Sequence, residues 1–341
     1  MEIKNEEKNN RIYPGINNRT INNASGLGLY GSAASELRRS GRKQIQPIIC
    51  KNCRMNGKKY ISEFAKDLKN PDAEMKVLAL GMGMQSTALY LMSSMGLFER
   101  ADVAIFSDPM SEHEETYKLT EWLVGWSKEC ADAVPIHIVE KDLYNDIVNP
   151  MGVSKNGVDK YAYIPAHIKH PDGSAGFVKR QCTYDYKILP LHLKVRELMG
   201  LRKGERLKPY ELWLGITTEE IQRMAINKDK KISNRYPLIE LGMSRSDCMT
   251  FMEENGFPIP VKSACVFCPY HSDSFWLELK KENGDAWKKS VDLDYKMRKR
   301  ENTSLKGEPY LHKSLKPLDE VYLQENQGNL FDNECEGHCG I

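Results

Sequence analysis

The chain lacks three features that would fix its class at once. It has no apolar run near eighteen residues, so nothing in it reads as a membrane-spanning helix. It shows no secretory leader, because the first twenty residues are polar and rich in asparagine. It also has no excess of one charge: 49 basic side chains face 47 acidic ones, for a net +2. Composition therefore demands no nucleic-acid partner. No internal repeat is visible. These absences predict a cytoplasmic, globular protein with no membrane partner. At 341 residues, 40% hydrophobic and 28% charged, the chain can bury a sizeable core in one large domain or two small ones.

What the chain does have is cysteine. The nine are Cys50, Cys53, Cys130, Cys182, Cys248, Cys265, Cys268, Cys335 and Cys339. In a cytoplasmic chain that number points to metal or redox work more than to disulfides. Two CxxC pairs, Cys50/Cys53 and Cys265/Cys268, have a spacing that lets both thiolates reach one metal or cluster.

Composition divides the chain into four parts. Residues 1–45 are rich in Asn, Gly and Ser and read as disordered. Residues 46–74 read as a linker that holds the first CxxC pair. Residues 75–320 alternate strand and helix patterns, and 321–341 read as a flexible, cysteine-bearing tail. Within the long part, strands are expected at 76–80, 102–106, 136–140 and 211–214. Helices are expected at 86–94, 112–132, 184–199, 244–254 and 285–300, with one more capped by Thr217-Thr218-Glu219-Glu220. Residues 147–178 read as a polar loop, and Ser272–Trp276 as a packed helix start. The alternation predicts an α/β fold with a doubly wound, mostly parallel sheet and a helical, cysteine-containing C-terminal part.

In such a sheet, ligands sit beyond the carboxyl ends of the strands. There the chain places Gly81-Met82-Gly83-Met84-Gln85-Ser86-Thr87 after the first strand and Ser107-Asp108 after the second. Gly81 and Gly83 can take positive φ and let a ligand approach the backbone. Ser86 and Thr87 sit where hydroxyls add to a helix N-terminus that suits phosphate. A lone glycine turn of this kind is equally well an ordinary strand-to-helix connection.

Six segments in order strengthen the functional reading. They are Gly81–Leu89, Ile105–Asp108 followed by Glu114-Glu115-Thr116-Tyr117, Arg180–Thr183 with Lys187 and Pro190, Trp213–Ile216, Asn234–Leu238, and Ser263–Tyr270. Over residues 75–320 they resemble the phosphoadenosine phosphosulfate reductase-like proteins of the adenine-nucleotide α-hydrolase, or PP-loop, superfamily, common in bacteria and their phages. The resemblance implies a PP-loop type fold with an adenine nucleotide, ATP or phosphoadenosine phosphosulfate, bound over Gly81, Gly83, Gln85, Ser86 and Thr87. Its adenine would lie near Ser107 and Asp108. Members that cleave ATP usually carry an aspartate where this chain has Gln85, a poor ligand for Mg²⁺. Asp108 or Glu112 could hold the cation instead.

The resemblance also bears on the cysteines. Cys182, Cys265 and Cys268 suit three ligands of a [4Fe–4S] cluster. Cluster-bearing reductases have a Cys-Cys pair where this chain has Gln181-Cys182, so either Cys248 supplies the fourth ligand or one iron stays open. An open iron would resemble sulfur-inserting enzymes of the superfamily. Zinc is the alternative reading, and thiols without a metal the third. Lys179, Arg180, Lys187 and Arg223 would neutralise a phosphate or sulfate, or simply form a solvated face. The tail around Cys335 is similar to the Glu-Cys-Gly end of true sulfonucleotide reductases. Cys335 is thus a candidate nucleophile, with Lys187 and Arg180 as catalytic partners and Cys339 as resolving thiol; a thioredoxin-like reductant is then the expected partner. A metal knuckle with Cys50 and Cys53 is the other reading of the tail. Three functions follow: a sulfonucleotide reductase-like enzyme, ATP-dependent sulfur transfer to tRNA or DNA, or a nucleotide-binding module without turnover.

Overall fold

The structure, a computed structural model, describes Ala65 and residues 68–323. The readings placed on residues 1–45, on Cys50 and Cys53, and on Cys335 and Cys339 lie outside the described residues.

Along the chain the first elements are β1 (Lys76–Ala79), α1 (Met84–Ser94), β2 (Val103–Asp108), α2 (Glu114–Glu129), β3 (Ile136–Glu140) and α3 (Leu143–Val148). Two short hairpins follow, β4 (Gly152–Val153) with β5 (Asp159–Lys160) and β6 (Ala166–Lys169) with β7 (Ala175–Val178). Then come α4 (Leu189–Leu198), β8 (Tyr210–Trp213), β9 (Ile232–Arg235), α5 (Pro237–Glu240) and α6 (Arg245–Glu254). Finally there are α7 (Asp273–Glu282), α8 (Gly284–Arg298) and β10 (Glu308–Tyr310).

Five parallel strands form the main sheet in the order β3-β2-β1-β8-β9. Both faces are covered, as a parallel sheet requires, and the alternation of side chains feeds two cores. Leu78, Leu80, Ala104, Phe106 and Trp213 face the first core with α1, Leu119 and Leu123 of α2, and Cys248 and Met252 of α6. Val77, Ala79, Val103, Ile105, Leu212 and Leu214 face the second with Leu191 and Val195 of α4. The expected α/β class with a doubly wound parallel sheet is what the chain adopts.

A third core stands on the rest of the chain. Ala166 and Ile168 of β6, Val266, Phe267, Trp276 of α7 and Leu293 of α8 pack together there. The expected loop at 147–178 is thus largely wrong. Its β6–β7 hairpin, with Pro171-Asp172-Gly173 in the turn, joins β10 in a three-stranded antiparallel sheet. The expected helix at 184–199 also begins differently. Residues Tyr184–Ile188 form a π-helical turn, and Pro190, which has no N–H, sits in the first turn of α4. The helix expected after Thr217 is a 3₁₀ segment, Thr218–Arg223, with no side-chain cap.

Candidate functional site

β1 runs through Leu80 into the turn Gly81-Met82-Gly83. The left-handed residue of this turn is not a glycine. Met82 has φ 55°, whereas Gly83 is extended at φ −97°, ψ 173° and Gly81 has no positive φ. That corrects the expectation of left-handed glycines. Such a backbone costs a non-glycine residue about 1–2 kcal/mol, and Met82 is held there by a side chain wholly buried in the first core. The glycines supply space instead. A Cβ on Gly83 would meet nothing within 4 Å, and one on Gly81 would touch only Ser86 Oγ at 3.8 Å. Their open side is room for a ligand.

α1 begins at Met84, two residues before the expected Ser86. Ser86 therefore fastens the turn from inside the helix. Its Oγ accepts from the Gly81 N–H at 3.2 Å and donates to the Gly83 carbonyl at 3.2 Å. From the other side, β8 exits through Gly215, where a Cβ would lie 2.8 Å from Ser86 N and 2.9 Å from its Cα. Only glycine allows that approach.

The sheet order reverses between β1 and β8, which makes the carboxyl ends of β2, β1 and β8 the switch point of the fold. Four hydroxyls carried there are buried without a hydrogen-bond partner: Thr87 Oγ1, Ser107 Oγ, Thr217 Oγ1 and Thr218 Oγ1. Buried polar atoms are ordinarily satisfied, so these four are open to a polar partner. Gln85 reaches the same side, its Nε2 donating to Glu220 Oε2 at 3.4 Å. Arg223 pairs with the other oxygen of Glu220 and is thus already neutralised.

Asp108 ends β2, 2% exposed. Its Oδ1 accepts from the Met110 N–H at 2.7 Å and from the Tyr117 hydroxyl at 3.0 Å. Burial, with Glu112 and Glu140 nearby, pushes its carboxyl up to about 6. Next comes a residue the sequence reading treated only as a metal candidate. Both oxygens of the buried Glu112 are occupied: Oε1 by Lys187 Nζ at 2.9 Å, Oε2 by Ser263 Oγ at 3.0 Å. That arrangement gives Lys187 a carboxylate partner.

Glu112 also joins the crevice to the second CxxC pair. Its backbone bridges Cys265, and the Val266 N–H donates to the Ser111 carbonyl at 2.9 Å. Lys289 of α8 closes the same junction, donating to the Met110 carbonyl at 3.1 Å and Ser111 Oγ at 3.3 Å. Burial lowers the Lys289 pKa, against the pull of Asp142, Cys265 and Asp108. Within the CxxC turn, the Cys268 N–H donates to the Cys265 carbonyl at 3.0 Å and His271 Nε2 donates to it at 2.8 Å. Desolvation pushes the His271 ring down to about 3, so it is neutral here. Sequence reasoning missed Lys289 and had Ser263 only as the start of the Ser263–Tyr270 segment, with no role; a lysine on an amphipathic helix and a serine before a CxxC give no signal of their own.

Cys182 packs against the same third core as Cys265. Cys248, the expected fourth ligand, packs in a different core. The Ser244/Asp247 capping box fixes α6 so that Cys248 and Met252 turn into the first core. There burial pushes the thiol up to about 12. Among the described residues no three His, Cys, Asp or Glu side chains form a group that could hold a metal ion. Arg180, two residues before Cys182, keeps its Nη1 buried without a partner. A separate cavity of about 590 Å³ lies along β9, and none of the crevice residues lines it.

Fold and site together define an α/β protein whose doubly covered parallel sheet opens a polar, glycine-lined crevice at its switch point. No family model matches the chain, and no curated protein does. Among solved structures it is similar to the phosphoadenylyl-sulfate (PAPS) reductase from Candida auris, solved as a phosphate complex. The identity is 14%, over 60% of this chain and 89% of that one, with a TM-score of 0.32. No helix among the described residues is long and apolar enough to cross a membrane.

Proposed function

We propose that this chain is an adenine-nucleotide-binding enzyme of sulfur chemistry, similar in action to phosphoadenosine phosphosulfate reductases. One observation carries the reading: four buried hydroxyls without a partner and the open side of Gly83 lie around the carboxyl ends of β1, β2 and β8, and Ser111–Glu112, just past β2, is bonded to the Cys265–Cys268 turn. An anionic nucleotide end satisfies the hydroxyls, and Arg180 adds a donor still without a partner. The occupied oxygens of Glu112 and the amide at Gln85 favour a ligand that comes without Mg²⁺.

In the proposed reaction a cysteine thiolate, Cys335 by the family resemblance, attacks the sulfur of the sulfonucleotide. An S–S bond to the sulfonate forms, the S–O bond breaks, and the nucleotide phosphate leaves with the electron pair. A thioredoxin-like dithiol then attacks the cysteine sulfur, releasing sulfite and ending as the disulfide. The described thiols form no three-ligand group as placed, and this route uses thiols alone. The test is calorimetry with phosphoadenosine phosphosulfate and with ATP, followed by sulfite detection in the presence of a dithiol. Sulfite release supports the reading. Pyrophosphate release from ATP that depends on tRNA or DNA would replace it with sulfur transfer, and binding without turnover would leave a nucleotide-binding module.

A further inference from the structure

The three-stranded sheet presents a face that neither the crevice nor the cysteines use. In the β6–β7 pairing His167 lies opposite Phe177 and Lys169 opposite Ala175. Alternation sends Ile168 and Val178 into the third core and leaves Phe177, His167 and Lys169 on the outer side. Phe177 is 44% exposed. Its ring meets His167 at 5.1 Å and Tyr270 at 5.9 Å. Tyr270 stands two residues beyond Cys268, so the rings run from the sheet to the CxxC turn.

Positive charge surrounds these rings. Lys169 and Lys179 are exposed. His167 is held below its usual pKa by burial and then by His312 and Lys313. Three acids lie nearby, Glu308 directly opposite Lys169 in the β10–β6 pairing. Glu308 accepts from the Tyr310 hydroxyl at 2.8 Å, Asp273 faces His312 at 3.3 Å and Lys313 at 3.2 Å, and Asp172 holds the hairpin turn through Ser174.

We propose that this face binds single-stranded nucleic acid, one base stacking on Phe177 and the flanking phosphates meeting Lys169 and Lys179. An exposed ring set among cations on a sheet is what unpaired bases need, since each offers a flat π-face and a charged backbone. A duplex hides its base faces, and an acidic peptide would use the lysines but leave the ring idle. The surface stands apart from the nucleotide crevice, and its test reads binding alone, so either reading can fail without the other.

The experiment is fluorescence anisotropy of the full chain with a labelled single strand of about 16 nucleotides, DNA and RNA in turn. Saturable binding is expected, weaker for the matching duplex. Phe177→Ala should weaken it about tenfold, the loss of one base–ring stack. Phe177→Leu should do the same, because it keeps apolar bulk without a π-face. Lys169→Gln and Lys179→Gln should each flatten the slope of log affinity against log salt by about 0.7. Thermal melting of the Phe177 variants should match that of the parent, as the ring is exposed. The proposal is overturned if no saturable binding occurs, if duplex binds as well as single strand, if Phe177→Ala binds like the parent, or if polyglutamate competes as well as unlabelled oligonucleotide.

Discussion

The main sheet carries two buried polar clusters, built on opposite plans. Around Arg235 the chain completes everything itself. The guanidinium, with no exposure, reaches Glu240 at 2.7 and 2.9 Å, Glu99 at 2.9 and 3.0 Å, and Glu211 at 3.2 Å. It also stacks over the Trp213 ring at 4.9 Å. Arg235 in turn holds the Glu99 carboxyl well below the usual range. In the crevice, four hydroxyls have no partner and Asp108 is buried with its carboxyl pushed up. The first cluster holds the protein together. The second is what remains unfinished until a ligand arrives.

The largest way to break this contrast is Arg235→Met. It strands Glu211 and Glu240 in a buried setting, and stability should fall by about 3–5 kcal/mol in urea titrations. Loss of less than about 1 kcal/mol would mean the completed cluster is not a stabilising one.

Asp108→Asn should act in the other direction. A folded-state pKa near 6 lies above the unfolded value near 3.8, so the folded protein binds the extra proton between those values. Stability therefore falls as pH rises from about 4 to 6 and stays lower above that, by about 3 kcal/mol at most. The asparagine still accepts from Met110 and Tyr117, removes that slope, and should stabilise the protein at neutral pH. Unfolding curves at several pH values check this, and a destabilised Asp108→Asn would remove the crevice from the class of strained, unfinished sites.

Glu112→Gln tests the junction between them. It keeps the Ser263 contact but removes the buried charge that Lys187 pairs with, for about 2 kcal/mol lost. Alkylation of Cys265 and Cys268 should speed up as their turn loosens; unchanged labelling would show that the Glu112 contacts do not hold it. Smallest in stability is Gly83→Ala, expected to cost less than about 1 kcal/mol because its Cβ enters open space. It should nonetheless abolish nucleotide binding by calorimetry. Gly215→Ala, which collides with Ser86, should instead cost about 1–3 kcal/mol.

Much of the first half of the fold was legible because Val103–Asp108 is buried on both faces and α2 carries an apolar stripe through Leu119 and Leu123. The position of the glycine turn followed from that frame. The hairpins of the third core were not legible, since strands of three or four residues such as Glu308–Tyr310 show no usable period. The burial of Cys248 was not legible either, because it depends on which way its helix faces. The Glu112–Lys187 pair spans 75 residues, a separation at which spacing says nothing.

Met82 ties the crevice to the interior in a way that can be read with a thermometer. Its left-handed backbone shapes the turn while its side chain is lodged among Leu78, Leu89 and Phe106. The cradle cannot loosen without disturbing the core, and the core cannot melt and leave the cradle standing. Occupancy and unfolding are thereby linked, so a ligand at 100 times its Kd should add about 2.7 kcal/mol to the whole domain. Screening nucleotides by the shift in Tm thus reports on the crevice itself, before any reaction is known.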